Sequence, residues 1–147
     1  MRPLAALAVL LIALAPAFGG ENLRLNPNLD YSSDSQDGPL ISGDRMDSGF
    51  SVGKPAYIIL YGEGCYNSKH QARRTVSLYR KYKGRVQFII VDLDHPLSPA
   101  QQELQHKYYK GYIPHVVVLD SAGAVLYNAS GEVEESAISG MLDNALR

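Results

Sequence analysis

Short apolar runs alternate with helical segments after residue 55. Residues 56–61 (AYIILY) and 86–91 (VQFIIV) have the length and the apolar, β-favouring content of strands that are covered on both faces. Residues 65–83 carry apolar side chains along one helical face. Ser98 as N-cap, with Pro99 next and Gln101 three positions after the cap, predicts a second helix that stops at Gly111.

The C-terminal part of the chain predicts a hairpin and a last helix. Residues 115–119 (HVVVL) and 124–127 (AVLY) flank the turn DSAG, which is typical of a β-hairpin. The final helix is expected to begin near residue 131, with acids at its N-terminus and apolar residues on its inner face. The order β-α-β-α-β-β-α predicts an α/β fold of three layers around a central mixed sheet.

The N-terminal part has a different character. Residues 1–19 combine an early base, Arg2, an apolar run over 4–18 and small residues at two cleavage positions, which predicts a secretory signal peptide. The run is shorter than the roughly 18 to 20 residues that span a bilayer, so a permanent anchor is the weaker alternative. Residues 20–52 form a polar leader with little regular structure, expected to hold one short edge strand and one helical turn. Residues 53–147 form the folded domain.

Composition narrows the function classes. The net charge of −1 argues against a protein built mainly to hold nucleic acid, and a single cysteine rules out an internal disulfide framework. An exported chain, in a periplasm or outside the cell, places that cysteine where thiols meet oxidants and disulfides. The question raised by the composition is therefore what Cys65 does there.

The ordered set of motifs resembles the thioredoxin fold over residues 53–147. The residues that carry the resemblance are Lys54-Pro55, the strand that leads into Cys65, Val91 to Asp94, Ile113-Pro114 and the hairpin turn at 120–123. The resemblance implies that Cys65 is an attacking thiol at a helix N-terminus, which favours the thiolate. It also implies a cis-Pro114 beside the sulfur, with the backbone of Ile113 available to pair with a bound peptide, and substrate contacts from Tyr66 and Asn67.

Three departures separate the chain from the family pattern. The motif is C-x-x-S, with Ser68 where the resolving cysteine is expected, so Cys65 cannot close an internal disulfide. The aromatic residue that usually precedes the first cysteine is Gly64, and the chain has no tryptophan. The buried acid and the lysine near it correspond to Ile59 and Ile90, which leaves apolar packing in place of a charge pair.

Two functions remain open. The first is monothiol thiol–disulfide exchange, in which Cys65 forms a mixed disulfide with a protein or glutathione disulfide and an external thiol resolves it. The alternative is a redox-inactive binding module in which Cys65 is an inert remnant. No cofactor is expected, apart from glutathione as a possible co-substrate, and no metal. A resemblance to cluster-binding monothiol glutaredoxins fails because Tyr66 and Asn67 do not match their C-G-F-S motif.

Several side chains allow both a functional and an ordinary structural interpretation. Ser68 could donate a hydrogen bond to the thiolate or simply satisfy a backbone N–H in the first turn. The base-rich helix is usually a solvated face, but Lys69 and Arg73 could hold the thiol ionised or attract an acidic partner such as glutathione. His115 is expected as a partly exposed strand residue, with tuning of Cys65 as the alternative.

Two further patterns have simple explanations. The ten tyrosines are expected mainly to fill the core in place of tryptophan, rather than to form a stacking surface. Asn128-Ala129-Ser130 matches a glycosylation acceptor, a pattern that is common by chance and matters only in a eukaryotic secretory pathway.

Overall fold

The computed structural model describes residues 18–147, and the predicted signal peptide lies almost entirely outside the described residues. The strands and helices have the following bounds: β1 Glu21–Leu25, β2 Ile41–Asp44, β3 Ala56–Tyr61, α1 Tyr66–Tyr82, β4 Gln87–Asp92, α2 Pro99–Tyr108, β5 His115–Leu119, β6 Val125–Ser130 and α3 Glu135–Ala145. Within residues 18–147, no helix has the length and apolar character that crossing a bilayer requires.

The central sheet has four strands in the order β4-β3-β5-β6. Strands β3 and β4 are parallel, whereas β3–β5 and β5–β6 are antiparallel. The predicted mixed sheet is therefore confirmed. Ile59 pairs with Ile90 in the parallel ladder, and both side chains are buried in the same apolar cluster, so the expected apolar packing at these two positions is present.

Helices cover both faces of this sheet because successive strand residues point to opposite sides. On one face, Tyr57 and Ile59 pack with residues of α1 and α3. On the other face, Ile58 and Leu60 pack with Leu104 and Tyr108 of α2. The result is the predicted three-layer α/β arrangement, in which every residue of β3 is buried.

The leader is more ordered than the single edge strand expected from its sequence. Strands β1 and β2 pair with each other in a separate antiparallel sheet. Leu23, Leu40 and Ile41 are buried and belong to the same apolar cluster as α1 and α3. These scattered leucine and isoleucine positions have no periodicity of their own, and their burial depends on the domain that they cover.

The helix boundaries follow the local signals where those signals are strong. The predicted capping box at α2 is present: Gln101 N donates to Ser98 Oγ, and Ser98 N donates to the Gln101 side chain. Helix α3 begins at Glu135 rather than near 131. Gly131 has a φ of 96°, and Val133 N donates to the buried side chain of Gln71, so residues 131–134 are held as a loop.

Tyrosines fill much of the core, as predicted. Tyr57, Tyr61, Tyr82 and Tyr108 are buried. Tyr57 Oη is 2.7 Å from Thr75 Oγ1 and accepts a hydrogen bond from Gln71, so its polar end is satisfied, and burial raises its pKa to about 12.

Candidate functional site

Cys65 is the N-cap residue of α1 and is partly buried. Its Sγ accepts a hydrogen bond from Ser68 N at 3.5 Å, and the backbone of Lys69 closes the first helical turn onto the Cys65 carbonyl oxygen. The N-terminal N–H groups of a helix and its dipole favour a negative charge at this place. The sulfur therefore lies at the N-terminus of α1, where it accepts one of the N–H groups of the first helical turn.

The loop before β5 lies beside this sulfur. The Ile113-Pro114 peptide bond is cis, and the Ile113 carbonyl oxygen is 4.0 Å from Cys65 Sγ. Ile113 packs against Gly62, where a Cβ would collide with the end of the isoleucine side chain. The glycine after β3 thus allows the proline loop to approach the cysteine.

The remaining predicted site residues surround the thiol in different ways. Ser68 is fully buried, and its hydroxyl accepts a bond from Gly62 N at 3.4 Å, which matches the structural interpretation of this serine. Tyr66 and Asn67 are exposed next to Cys65, and Tyr112 is 73% exposed beside the proline loop. Exposed tyrosines therefore directly follow Cys65 in the chain and directly precede Ile113.

Lys69 does not lie where the sequence analysis placed it. Its side chain is fully buried, and Nζ donates to Asp30 O at 2.6 Å, to Ser35 O at 2.7 Å and to Ser35 Oγ at 3.2 Å. The ammonium therefore fastens residues 30–37, hereafter the anchor loop, to α1. The suggestion that Lys69 holds the thiol ionised is not supported by these contacts.

Arg73 also turns to the leader. Its guanidinium lies 5.3 Å from the ring centroid of Tyr31, a cation–π contact. The base-rich run of α1 is thus only partly a solvated face, because two of its bases bind the leader instead.

The anchor loop occupies the space beside Gly64. A Cβ on Gly64 would be 3.4 Å from Asp34 O and 3.4 Å from Gln36 Cβ. Asp34 Oδ1 accepts a hydrogen bond of 2.8 Å from Tyr66 N, the first N–H of α1. The absence of a side chain at Gly64 therefore leaves room for a segment of the leader, which covers that side of the motif.

A group of acids behind the motif was missed by the sequence analysis. Glu63 is 4% exposed and bonds to His95 Nε2, while its backbone N–H donates to Asp94 Oδ2 at 2.6 Å. Burial, followed by the hydrogen bond that the protonated Asp92 donates to Glu63, raises the pKa of Asp92 to about 7. Because β3 and β4 are parallel, their carboxyl ends meet at one sheet edge, and this placement was the available signal.

The same group offers metal donors. Carboxylate oxygens of Glu63 and Asp92 and a ring nitrogen of His95 lie within 4.8 Å of one another. These side chains already satisfy one another, and Asp92 also accepts a bond from Tyr61 Oη at 3.1 Å. An open cavity of about 380 Å³ adjoins Asp92 and His95 and is lined on its other side by residues of β2 and by Met46.

His115 was expected to be partly exposed, and this prediction is wrong. The residue is 1% exposed, and its ring bonds to Ser130 Oγ at 2.9 Å and to Asn128 Oδ1, both on β6. Both ring nitrogens of the imidazole have hydrogen-bond partners on the neighbouring strand, so His115 is a structural residue of the sheet. The same contacts engage the asparagine and the serine of the glycosylation pattern.

Comparison with known proteins supports the fold. The sequence matches no family model and no curated protein. A solved structure described as a malarial protein is 17% identical, with a TM-score of 0.53 over 65% of this chain and all of that one. Thioredoxin-2, a component of the malaria parasite protein secretion machinery, is 16% identical, with a TM-score of 0.52 over 62% of this chain and 82% of its own.

At these identities the similarity establishes the fold alone. The chain has a thioredoxin-like fold. Its first sheet–helix junction holds the single cysteine, which lies against a cis-proline loop in the geometry described above.

Proposed function

We propose that the protein performs monothiol thiol–disulfide exchange through Cys65. The observation that carries this proposal is the position of Sγ, which accepts the Ser68 N–H at the start of α1 and lies 4.0 Å from Ile113 O. The thiolate is the attacking form of a cysteine, and a helix N-terminus is a place where proteins hold reactive thiols.

The exchange takes two steps. The Cys65 thiolate attacks one sulfur of a partner disulfide, so that a mixed disulfide forms and the second partner sulfur leaves as a thiolate. An external thiolate then attacks the mixed disulfide and releases Cys65. Ser68, which replaces the resolving cysteine, is buried and bonded to Gly62 N, so resolution has to come from outside the chain.

The experiment is intact-mass analysis of the purified chain after incubation with oxidised glutathione at pH 8. One glutathione adduct is expected on the wild type and none on Cys65→Ala. Reduced glutathione, added afterwards, should return the mass to that of the unmodified chain. A wild type that N-ethylmaleimide labels, but that forms an adduct with neither oxidised glutathione nor the cationic disulfide cystamine, would refute the proposal.

A second candidate is a redox-inactive binding module. It is favoured by the apolar Ile59–Ile90 pair and by the anchor loop that covers one side of the motif beside Gly64. For such a module, Cys65→Ala would capture the same partners as the wild type. Loss of capture in that variant, with unchanged stability, would exclude it.

We also propose that the chain is exported, with residues 1–19 as its signal peptide. The support is the apolar run of residues 4–18 with the base before it and small residues after it. Expression of the full chain in a secreting host, followed by N-terminal sequencing of the exported product, tests this. An exported product that still begins at Met1, or retention of the chain in the membrane, would contradict it.

A further inference from the structure

We infer that Asp34 makes Cys65 select cationic disulfide partners, such as basic peptide segments, over anionic ones such as glutathione. This inference rests on the proposed exchange function and names its substrate class. It is the opposite of the preference that the base-rich sequence of α1 suggests.

The first step is the distance between the carboxylate and the sulfur. Asp34 Oδ1 is 2.8 Å from Tyr66 N, and Tyr66 directly follows Cys65. Standard bond lengths keep Sγ within about 5 Å of that nitrogen, so the carboxylate lies within about 8 Å of the reacting atom. This separation does not exceed the Debye length at physiological ionic strength, about 8 Å, so salt screens the interaction only partly.

The second step is that the carboxylate is held in place. The anchor loop is fastened by the buried Lys69, whose Nζ makes three hydrogen bonds to Asp30 and Ser35. Hydrogen bonds from Ser32 and Ser33 lower the pKa of Asp30 to about 2, and those from Ser35 lower that of Asp37. The loop therefore stays ordered and anionic at neutral pH.

The third step concerns the bases nearby. Lys69 and Arg73 are engaged with the leader. Further along the helix, His70 and Arg74 contact Glu132 and Glu134. Arg73 is exposed and keeps its charge, but eight residues, about 12 Å along the helix axis, separate it from Cys65. Asp34, which is also exposed, is the nearer charge, because its carboxylate bonds to the residue that directly follows Cys65.

The test compares two methanethiosulfonate reagents of similar size, one with a trimethylammonium group and one with a sulfonate. In both, the Cys65 thiolate attacks the sulfenyl sulfur, a disulfide forms and methanesulfinate leaves. The fraction of thiolate affects both rates equally, so the ratio of the rate constants reports only the local field. This ratio can be measured whether or not Cys65 has a physiological disulfide partner.

Asp34→Asn keeps an oxygen that can accept the Tyr66 N–H but removes the charge. We expect this variant to lower the cation-to-anion rate ratio about fivefold at low ionic strength, with the difference shrinking in 1 M salt. The matched control is Glu103→Gln, which removes an exposed charge from α2 on the opposite face of the sheet and should leave the ratio unchanged. An unchanged ratio in Asp34→Asn, or an equal shift in the control, would overturn the inference.

A second comparison uses cystamine, which is cationic, and oxidised glutathione. The wild type should form the cystamine adduct faster, and Asp34→Asn should reduce that preference; an equal preference in both proteins would overturn the inference. If neither disulfide reacts while the methanethiosulfonates still show the Asp34 effect, the electrostatic effect of Asp34 on Cys65 is supported and the proposed thiol–disulfide exchange is refuted.

Discussion

Relative to the wild type, the Asp92→Asn variant should gain stability as the pH rises from about 4 to about 8. In the folded chain, burial and the adjacent Glu63 raise the pKa of Asp92 from 3.8 to about 7. The unfolded chain therefore releases this proton near pH 4, while the folded chain keeps it until about pH 7. The contribution of this group to stability is complete below pH 4 and is lost as the pH rises to about 7.

The size of the effect follows from this shift. Each pH unit between the two pKa values costs about 1.4 kcal/mol of folding free energy. The full range corresponds to roughly 4 kcal/mol, and solvent screening together with sharing of the charge with Glu63 and His95 reduces it to about 2–3 kcal/mol. The introduced asparagine stays neutral at every pH, and its amide oxygen can keep the bond from Asp94 N while its amide nitrogen donates where the protonated oxygen did. That nitrogen cannot accept the bond from Tyr61 Oη, a loss of about 1 kcal/mol that is the same at every pH.

The assay is urea unfolding of both proteins at pH 4, 5, 6, 7 and 8. The stability of Asp92→Asn minus that of the wild type should grow by about 2–3 kcal/mol from pH 4 to pH 8. Glu103→Gln, which removes an exposed charge, should show a constant difference within about 0.5 kcal/mol. A constant difference for Asp92→Asn as well would refute the assignment of a buried, protonated acid to this position.

Two further changes test the anchor loop. Lys69→Met should lower the free energy of unfolding in urea by about 3 kcal/mol and expose residues 30–37 to proteolysis, because three hydrogen bonds of a buried ammonium are lost. The control, Lys81→Met, removes an exposed lysine of the same helix and should cost under about 0.5 kcal/mol. Equal losses in the two variants would contradict the anchor role of Lys69. Gly64→Trp should displace the anchor loop, lower the free energy of unfolding by about 1–3 kcal/mol and speed proteolytic cleavage of the loop. Gly64→Ala, whose Cβ meets contacts of 3.4 Å, should change little. If the loop of the tryptophan variant is not cleaved faster, the anchor loop does not fill the space beside Gly64.

The predictability of the fold depended on local signals. The apolar run of β3 and the capping box at Ser98, which starts α2, are signals formed by residues that are close in sequence. The structure confirms both elements. The start of α3 was misplaced because the loop before it is fixed by Gln71, which is distant in sequence. For a similar reason, the leader forms two paired strands where one short edge strand and one helical turn were expected: its apolar residues gain their burial from the domain core.

The site shows the same division. Cys65 at the start of α1 followed from the strand–glycine–helix pattern, and the structure places it there. The buried positions of Lys69 and His115 did not follow, because the leader carbonyls and the β6 side chains that satisfy them are distant in sequence. Asp34 gave no local signal at all: its importance comes only from a contact with Tyr66, 32 residues away.

Turnover tests the central claim most directly. The substrate is a basic peptide whose cysteine forms a mixed disulfide with glutathione. The measured quantity is the rate at which reduced glutathione frees the peptide thiol from this disulfide in the presence of the purified chain. We predict that the wild type accelerates release through more than one cycle per Cys65, while Cys65→Ala matches the uncatalysed rate. Equal rates for the two proteins would contradict the account.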